Sequence, residues 1–175
     1  MKRYLVGVSV LLCGLIIGCG YSSRSLLPSR FKTIHIAPFK NNIAYTSEQS
    51  RETYFPLLEV KIRNAVADRF LFDGHLKVDD SDEADLILKG ELIGYGRDAL
   101  RYSDDQDVQE YRIHIDVSLQ LWDRLKNELL WEEPGFSGDT SYFVTGPSAK
   151  SESVALEDAL KDLARRVVER TIEDW

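Results

Sequence analysis

Cysteine and histidine, the side chains most versatile in covalent and transition-metal chemistry, are few in this 175-residue sequence: two cysteines and three histidines. Cys19 ends the apolar run Ile16-Ile17-Gly18-Cys19, and the chain turns polar at once. A thiol in that place is either a small buried side chain or the acceptor of a processing step. Cys13 lies inside the same run. His35, His75 and His114 fall in three separate expected strands with no motif around them. His114 and Asp116 share one strand face, where a carboxylate could orient an imidazole, but a solvated sheet face is the plainer account. Asp104-Asp105-Gln106-Asp107 has the charge of a calcium loop without its glycine or its terminal glutamate. Gly90, Gly94 and Gly96 lie within or at the end of a strand instead of opening a helix, so they make no dinucleotide fingerprint. P-loop, G-x-S-x-G and H-E-x-x-H patterns are absent. These residues do not point to an enzyme, a cofactor or a metal site.

What precedes Cys19 decides between its two readings. Lys2 and Arg3 form a positive start, and Tyr4 to Ile17 an apolar segment. That segment is short of the roughly 20 apolar residues a spanning helix needs, and no A-x-A-like cleavage site follows it. Ile16-Ile17-Gly18-Cys19 resembles the bacterial lipobox. The resemblance implies cleavage before Cys19 and acyl chains on its sulfur and new amino terminus. Each buried CH₂ contributes about 0.8 kcal/mol, and the three chains implied together make a permanent anchor where one would be marginal. Gly20, in place of an aspartate, favours export to the outer membrane. Residues 1–18 are thus read as a lipoprotein signal peptide, 19–30 as a lipidated tether, and 31–175 as a single domain. Cleavage removes Lys2 and Arg3 and takes the net charge from −7 to −9. A body this acidic argues against nucleic acid, whose phosphates need a basic surface. With Cys13 gone and Cys19 acylated, neither a disulfide framework nor a cysteine metal site can form.

Hydrophobic periodicity orders the rest. Thr33 to Phe39 alternates as a short strand that Pro38 ends, and Lys40 to Ser50 is polar loop. Leu58, Ile62, Ala65, Val66 and Phe70 recur at helical spacing over about Tyr54 to Phe70, and Asp73-Gly74 stops that helix. Leu76 to Asp79 reads as a strand, and so does Ala84 to Leu100. Ile113, Ile115, Val117, Leu119 and Leu121 take one face of a strand over Glu110 to Trp122, with Arg112, His114, Asp116, Ser118 and Gln120 on the other. Leu125 to Glu128 is a hairpin turn, and Leu129 to Phe143 returns as a strand broken at Pro134-Gly135. Ser151 to Ile172 is a helix with acids toward its start and arginines toward its end, which suits the macrodipole. The fold class expected is α+β: an antiparallel or mixed sheet of four to five strands with two helices packed on one face.

The ordered phrases Cys19-Gly20-Tyr21, Phe31 to Asn42 (FKTIHIAPFKNN), Ala84 to Tyr95 (ADLILKGELIGY), Glu110-Tyr111-Arg112-Ile113 and Leu130-Trp131-Glu132 resemble the lipopolysaccharide-assembly lipoprotein family, LptE, across essentially the whole mature chain. The resemblance implies a partner and a task. Members plug the lumen of the outer-membrane β-barrel LptD, help it assemble, and assist the insertion of lipopolysaccharide into the outer leaflet. Lipid A carries phosphates, for which guanidinium groups are suited. The cations expected to meet them are Arg97 and Arg101, flanking the loop between two long strands, and Arg112, Arg124 and Lys126 on the next strand and its turn. The sequence lacks the arginine-threonine phrase expected after Pro38-Phe39. A second reading is an outer-membrane lipoprotein that activates a peptidoglycan synthase or supports a secretion pore, whose sheets are expected to carry more interleaved helices.

Overall fold

The structure, a computed structural model, describes residues 27–43, 55–81 and 83–173. The signal peptide, Cys19, most of the tether and the stretch 44–54 lie outside the described residues. The elements are β1 (Thr33–Ile36), β2 (Lys40–Asn41), α1 (Leu58–Asp73), β3 (Lys77–Val78), β4 (Leu86–Tyr102), β5 (Val108–Asp123), β6 (Glu128–Phe143) and α2 (Glu152–Ile172). The sheet is mixed. Its order is β3-β1-β4-β5-β6, with β2 also on β4; β1 pairs in parallel with β3 and β4, whereas β4, β5 and β6 form an antiparallel meander. The α+β architecture is as the sequence reads, with two-residue β2, in a stretch read as loop, bringing the strands among the described residues to six.

Each helix has a local reason for its ends. α1 begins at Leu58, later than Tyr54, because Pro56 disfavours helical geometry in the residue before it and Leu57 sits in the left-handed region at φ 57°. It runs on to Asp73 and closes at Gly74 (φ 78°), whose N–H donates to the Phe70 carbonyl at 3.0 Å. α2 starts at Ser151, whose hydroxyl accepts from the Val154 N–H at 3.4 Å. His75 does not lie in a strand; it sits in the short connection between α1 and β3, with its ring 2.7 Å from Asp73.

Both helices lie on one face and share a core with it. Ile113, Ile115, Val117, Leu119 and Leu121 of β5 pack under α2 and share one buried core with its Leu156, Leu160, Leu163 and Val167, while Ile62, Val66 and Phe70 of α1 join that core beside α2, β1 and β3. The residues between them on β5 face away from both helices. β6 is an edge strand, and α2 covers part of that edge. Asp162 accepts the Asp139 N–H at 3.2 Å, and Arg166 donates to the Ser137 carbonyl at 2.8 Å. Exposed strand edges invite pairing with other chains, and these two side chains occupy groups that would template it.

Of the five register shifts along the meander, three fall at Ile93, Leu100 and Pro134-Gly135. Ile93 is an extra residue between Leu92, opposite Val117, and Gly94, opposite Asp116. Before this bulge, Leu86, Leu88 and Leu92 point into the core; after it Tyr95 and Arg97, opposite Ile115 and Ile113, take that face. Leu100 is bulged in the same way, which leaves Ile93 and Leu100 exposed. On β6, Pro134 and Gly135 stand between Glu133, opposite Leu119, and Phe136, opposite Val117. The strand continues through them as a bulge. Proline, having no N–H to offer the ladder, is tolerated there.

Candidate functional site

The inverted parity of β4 builds a polar cluster where the sheet meets the start of α2. Tyr95 donates its hydroxyl to Glu152 at 3.2 Å, and the Arg97 guanidinium is ion-paired with the same carboxylate. Arg97 also lies 4.7 Å from the centroid of Tyr111, which stacks on Tyr142 from the neighbouring strand at 6.0 Å. Burial, then the Glu152 charge, raises the Tyr95 pKa far above the ordinary phenol value. Burial works against the charged Arg97, but Glu152 and the Tyr142 hydroxyl overcome it and raise its pKa. The cluster therefore stays a protonated phenol beside a fixed cation, and it ties the first turn of α2 to β4.

The open face of the sheet, turned away from the helices, is polar at its centre. Ser137 donates to Asp116, and His114 lies between Asp98 (3.3 Å) and Asp116 (3.8 Å). A Cβ on Gly94 would meet the Asp116 carboxylate at 2.8 Å, and one on Gly96 the His114 ring at 2.3 Å. The two glycines let both side chains fold across β4. Serine, histidine and aspartate meet here without forming a nucleophilic triad, because the serine hydroxyl is bonded to the carboxylate and not to the imidazole. Arg112 donates to Asp139 at 3.0 Å on the same face. Among the described residues no three His, Cys, Asp or Glu side chains are grouped to hold a metal ion, and no helix is long and apolar enough to cross a membrane.

The five expected cations separate into two groups. Arg97, Arg101 and Arg112 lie toward the end that carries the 103–107 turn, while Arg124 and Lys126 lie in the β5–β6 turn at the other end of the sheet. At about 3.3 Å per residue, the 12 residues from Arg112 to Arg124 span roughly 40 Å. Arg97 is engaged by Glu152 as described. Arg101 is 3.7 Å from Glu110, lies over the Phe143 ring at 5.6 Å, and is 61% exposed. Arg124 donates to the Ala84 carbonyl at 2.9 Å, and Lys126 is 3.9 Å from Glu128. Of the five, Arg101 and Arg112 thus share the open face toward the 103–107 turn. The tyrosine–Glu152 cluster was not legible in the sequence, since Arg97 and Glu152 are 55 residues apart.

Comparisons with known proteins agree with this architecture. The chain is similar to protein XCC0632 from Xanthomonas campestris at 15% identity, covering 85% of this chain and 91% of that one, with TM-score 0.58. It is similar to the uncharacterized lipoprotein B of Nitrosomonas europaea at 15% identity (81% and 83% covered, TM-score 0.51) and to PelC of Paraburkholderia phytofirmans at 13% (86% and 96%, TM-score 0.51). At such identities the likeness is one of fold. No curated protein matches the chain. The sequence pattern of the LptE family, described as lipopolysaccharide-assembly, matches residues 31–171. A match over most of the chain, on the fold just described, places this protein in the LptE family of lipopolysaccharide-assembly proteins.

Proposed function

We propose that this chain is an outer-membrane lipoprotein, anchored through Cys19, that plugs and helps assemble an LptD-type β-barrel and assists lipopolysaccharide insertion into the outer leaflet. The observation that carries the reading is the meander itself. β4, β5 and β6 are 16 or 17 residues long, up to about 55 Å at 3.3 Å per residue. No described element covers their polar open face. Large outer-membrane barrels have a polar interior and an apolar band about 25 Å tall. A sheet of this length, wet on one face and stiffened by two helices on the other, can reach through such a lumen and still project on the periplasmic side.

The task needs no covalent step. The residues supply a rigid wedge, hydrogen-bonding groups for a polar wall, and two exposed arginines, Arg101 and Arg112, near one end for lipid A phosphates. Photo-crosslinking tests the reading directly. A photoreactive residue replacing Ser141 on the open face should capture a barrel much larger than this chain in living cells. Capture of a peptidoglycan synthase there, with the barrel absent, would overturn it.

A further inference from the structure

Three large apolar side chains stand exposed at one end of the molecule: Leu71 (63%) and Phe72 (81%) on the last turn of α1, and Leu125 (75%) in the β5–β6 turn. Pairing across the sheet shows that they share that end. α1 passes through residues 74–76 into β3, Lys77 pairs with Thr33, Ile34 with Leu86, and Leu86 with Asp123, the last residue of β5. The chain enters there too. Arg30 Nη2 lies 3.0 Å from the buried Asp123 carboxylate, and the Lys32 N–H donates to Asp85 at 2.7 Å. The turn at 103–107 marks the opposite end.

Two further features give this end the character of a lipid–water boundary. Cys19 is eight residues from Leu27, the first described position, a span of at most about 28 Å even when fully extended. An anchor at Cys19 therefore keeps this end beside a bilayer. Cations also accompany the apolar groups. The Arg69 guanidinium lies 5.3 Å from the Phe72 ring, with its Nε buried and without a hydrogen-bond partner, and Lys32, Lys77 and Lys126 are exposed nearby. Long cationic side chains around an aromatic and leucines are the residues that settle at the headgroup level, stems in the apolar layer and charges in water.

We propose that this end docks on the phospholipid leaflet that holds the Cys19 anchor. Leu71, Phe72 and Leu125 enter the boundary between headgroups and acyl chains, and Arg69 and Lys77 remain among the headgroup phosphates. The inference rests on acylation of Cys19. Two contacts, one under α1 and one under the hairpin turn, fix the tilt of the long sheet against the membrane, which a single tether could not do.

Once the signal is cleaved and Cys19 acylated, the mature protein has no free thiol, so a single introduced cysteine can carry a nitroxide. The acylated protein is placed in vesicles of phosphatidylethanolamine and phosphatidylglycerol. Labels at Phe72→Cys and Leu125→Cys should be several-fold less accessible to a water-soluble nickel complex than a label at Asp105→Cys on the far end, and more accessible to oxygen. A label at His75→Cys should lose its shielding when Leu71 and Phe72 are both changed to Ser, while flotation with the vesicles persists. Equal nickel accessibility at all positions in acylated, vesicle-bound protein overturns the docking alone. Protein without acyl chains by mass, remaining off the vesicles, overturns the anchor and the docking with it.

Discussion

A Cβ on Gly138 would lie 2.4 Å from the Cβ of Leu163 and 2.6 Å from its Cα and backbone nitrogen. The main chain of α2 therefore rests directly on β6, and only a residue without a side chain leaves room for it. The obstruction includes backbone, which cannot swing aside as a long side chain would. Gly138→Ala should cost about 1–3 kcal/mol, the usual range for overpacking, read as a lower midpoint in denaturant unfolding of the mature protein. An unchanged midpoint would mean that α2 lifts off the strand freely.

Arg97 and Glu152 join β4 to the first turn of α2, but both are about two-fifths exposed (38% and 41%), so water screens the pair. A double-mutant cycle with Arg97→Gln and Glu152→Gln should return a coupling of about 1 kcal/mol or less. The same Arg97→Gln change should alter lipopolysaccharide binding little, because its guanidinium is already committed to Glu152. Isothermal titration with the purified glycolipid separates the two effects.

Arg101 and Arg112 predict the opposite pattern. Their carboxylate partners, at 3.7 and 3.0 Å, leave them about half exposed or more on the open face. Changing both to Gln should weaken lipopolysaccharide binding several-fold with the unfolding midpoint nearly unmoved. Arg124→Gln with Lys126→Gln, at the far end of the sheet, should not. Equal losses from the two double variants would show that overall charge governs the affinity.

Asp85 supplies a pH dependence. Its carboxylate accepts the Lys32 N–H at 2.7 Å and the Thr33 N–H at 3.1 Å, and the first of these chiefly holds its pKa below the ordinary value while partial burial opposes it. A depressed folded pKa stabilises above the unfolded value near 4, and that stability is lost as pH falls through the lower folded value. Asp85→Asn should reduce stability at neutral pH by roughly 0.5–1.5 kcal/mol and flatten the acid limb of the profile. Unfolding midpoints between about pH 2 and 7 measure both.

How much of this could be read from residues alone depended on whether the signal was local. β5 was legible because five inward residues alternate without interruption, and α2 because Ser151 and its leucine–alanine stripe mark both its start and its buried face. The first turn of α1 was misplaced since Pro56 and the left-handed Leu57 outweigh the apolar spacing around Tyr54. The bulge at Ile93 was hidden: Gly94 and Gly96 signal irregularity without saying that the strand reverses its faces. That reversal sends Arg97 inward to Glu152, where it latches β4 to α2. Proximity in sequence also misleads, because Arg112, near the start of β5, and Arg124, just past its end, occupy opposite ends of the sheet.

Purification of the chain from membranes of its host in mild detergent bears most directly on the proposed plug role. A tag at the carboxyl terminus should bring down one barrel several times the mass of this chain, in equal molar amount and resistant to salt. Recovery of the chain alone, or with a periplasmic synthase and no barrel, would contradict it.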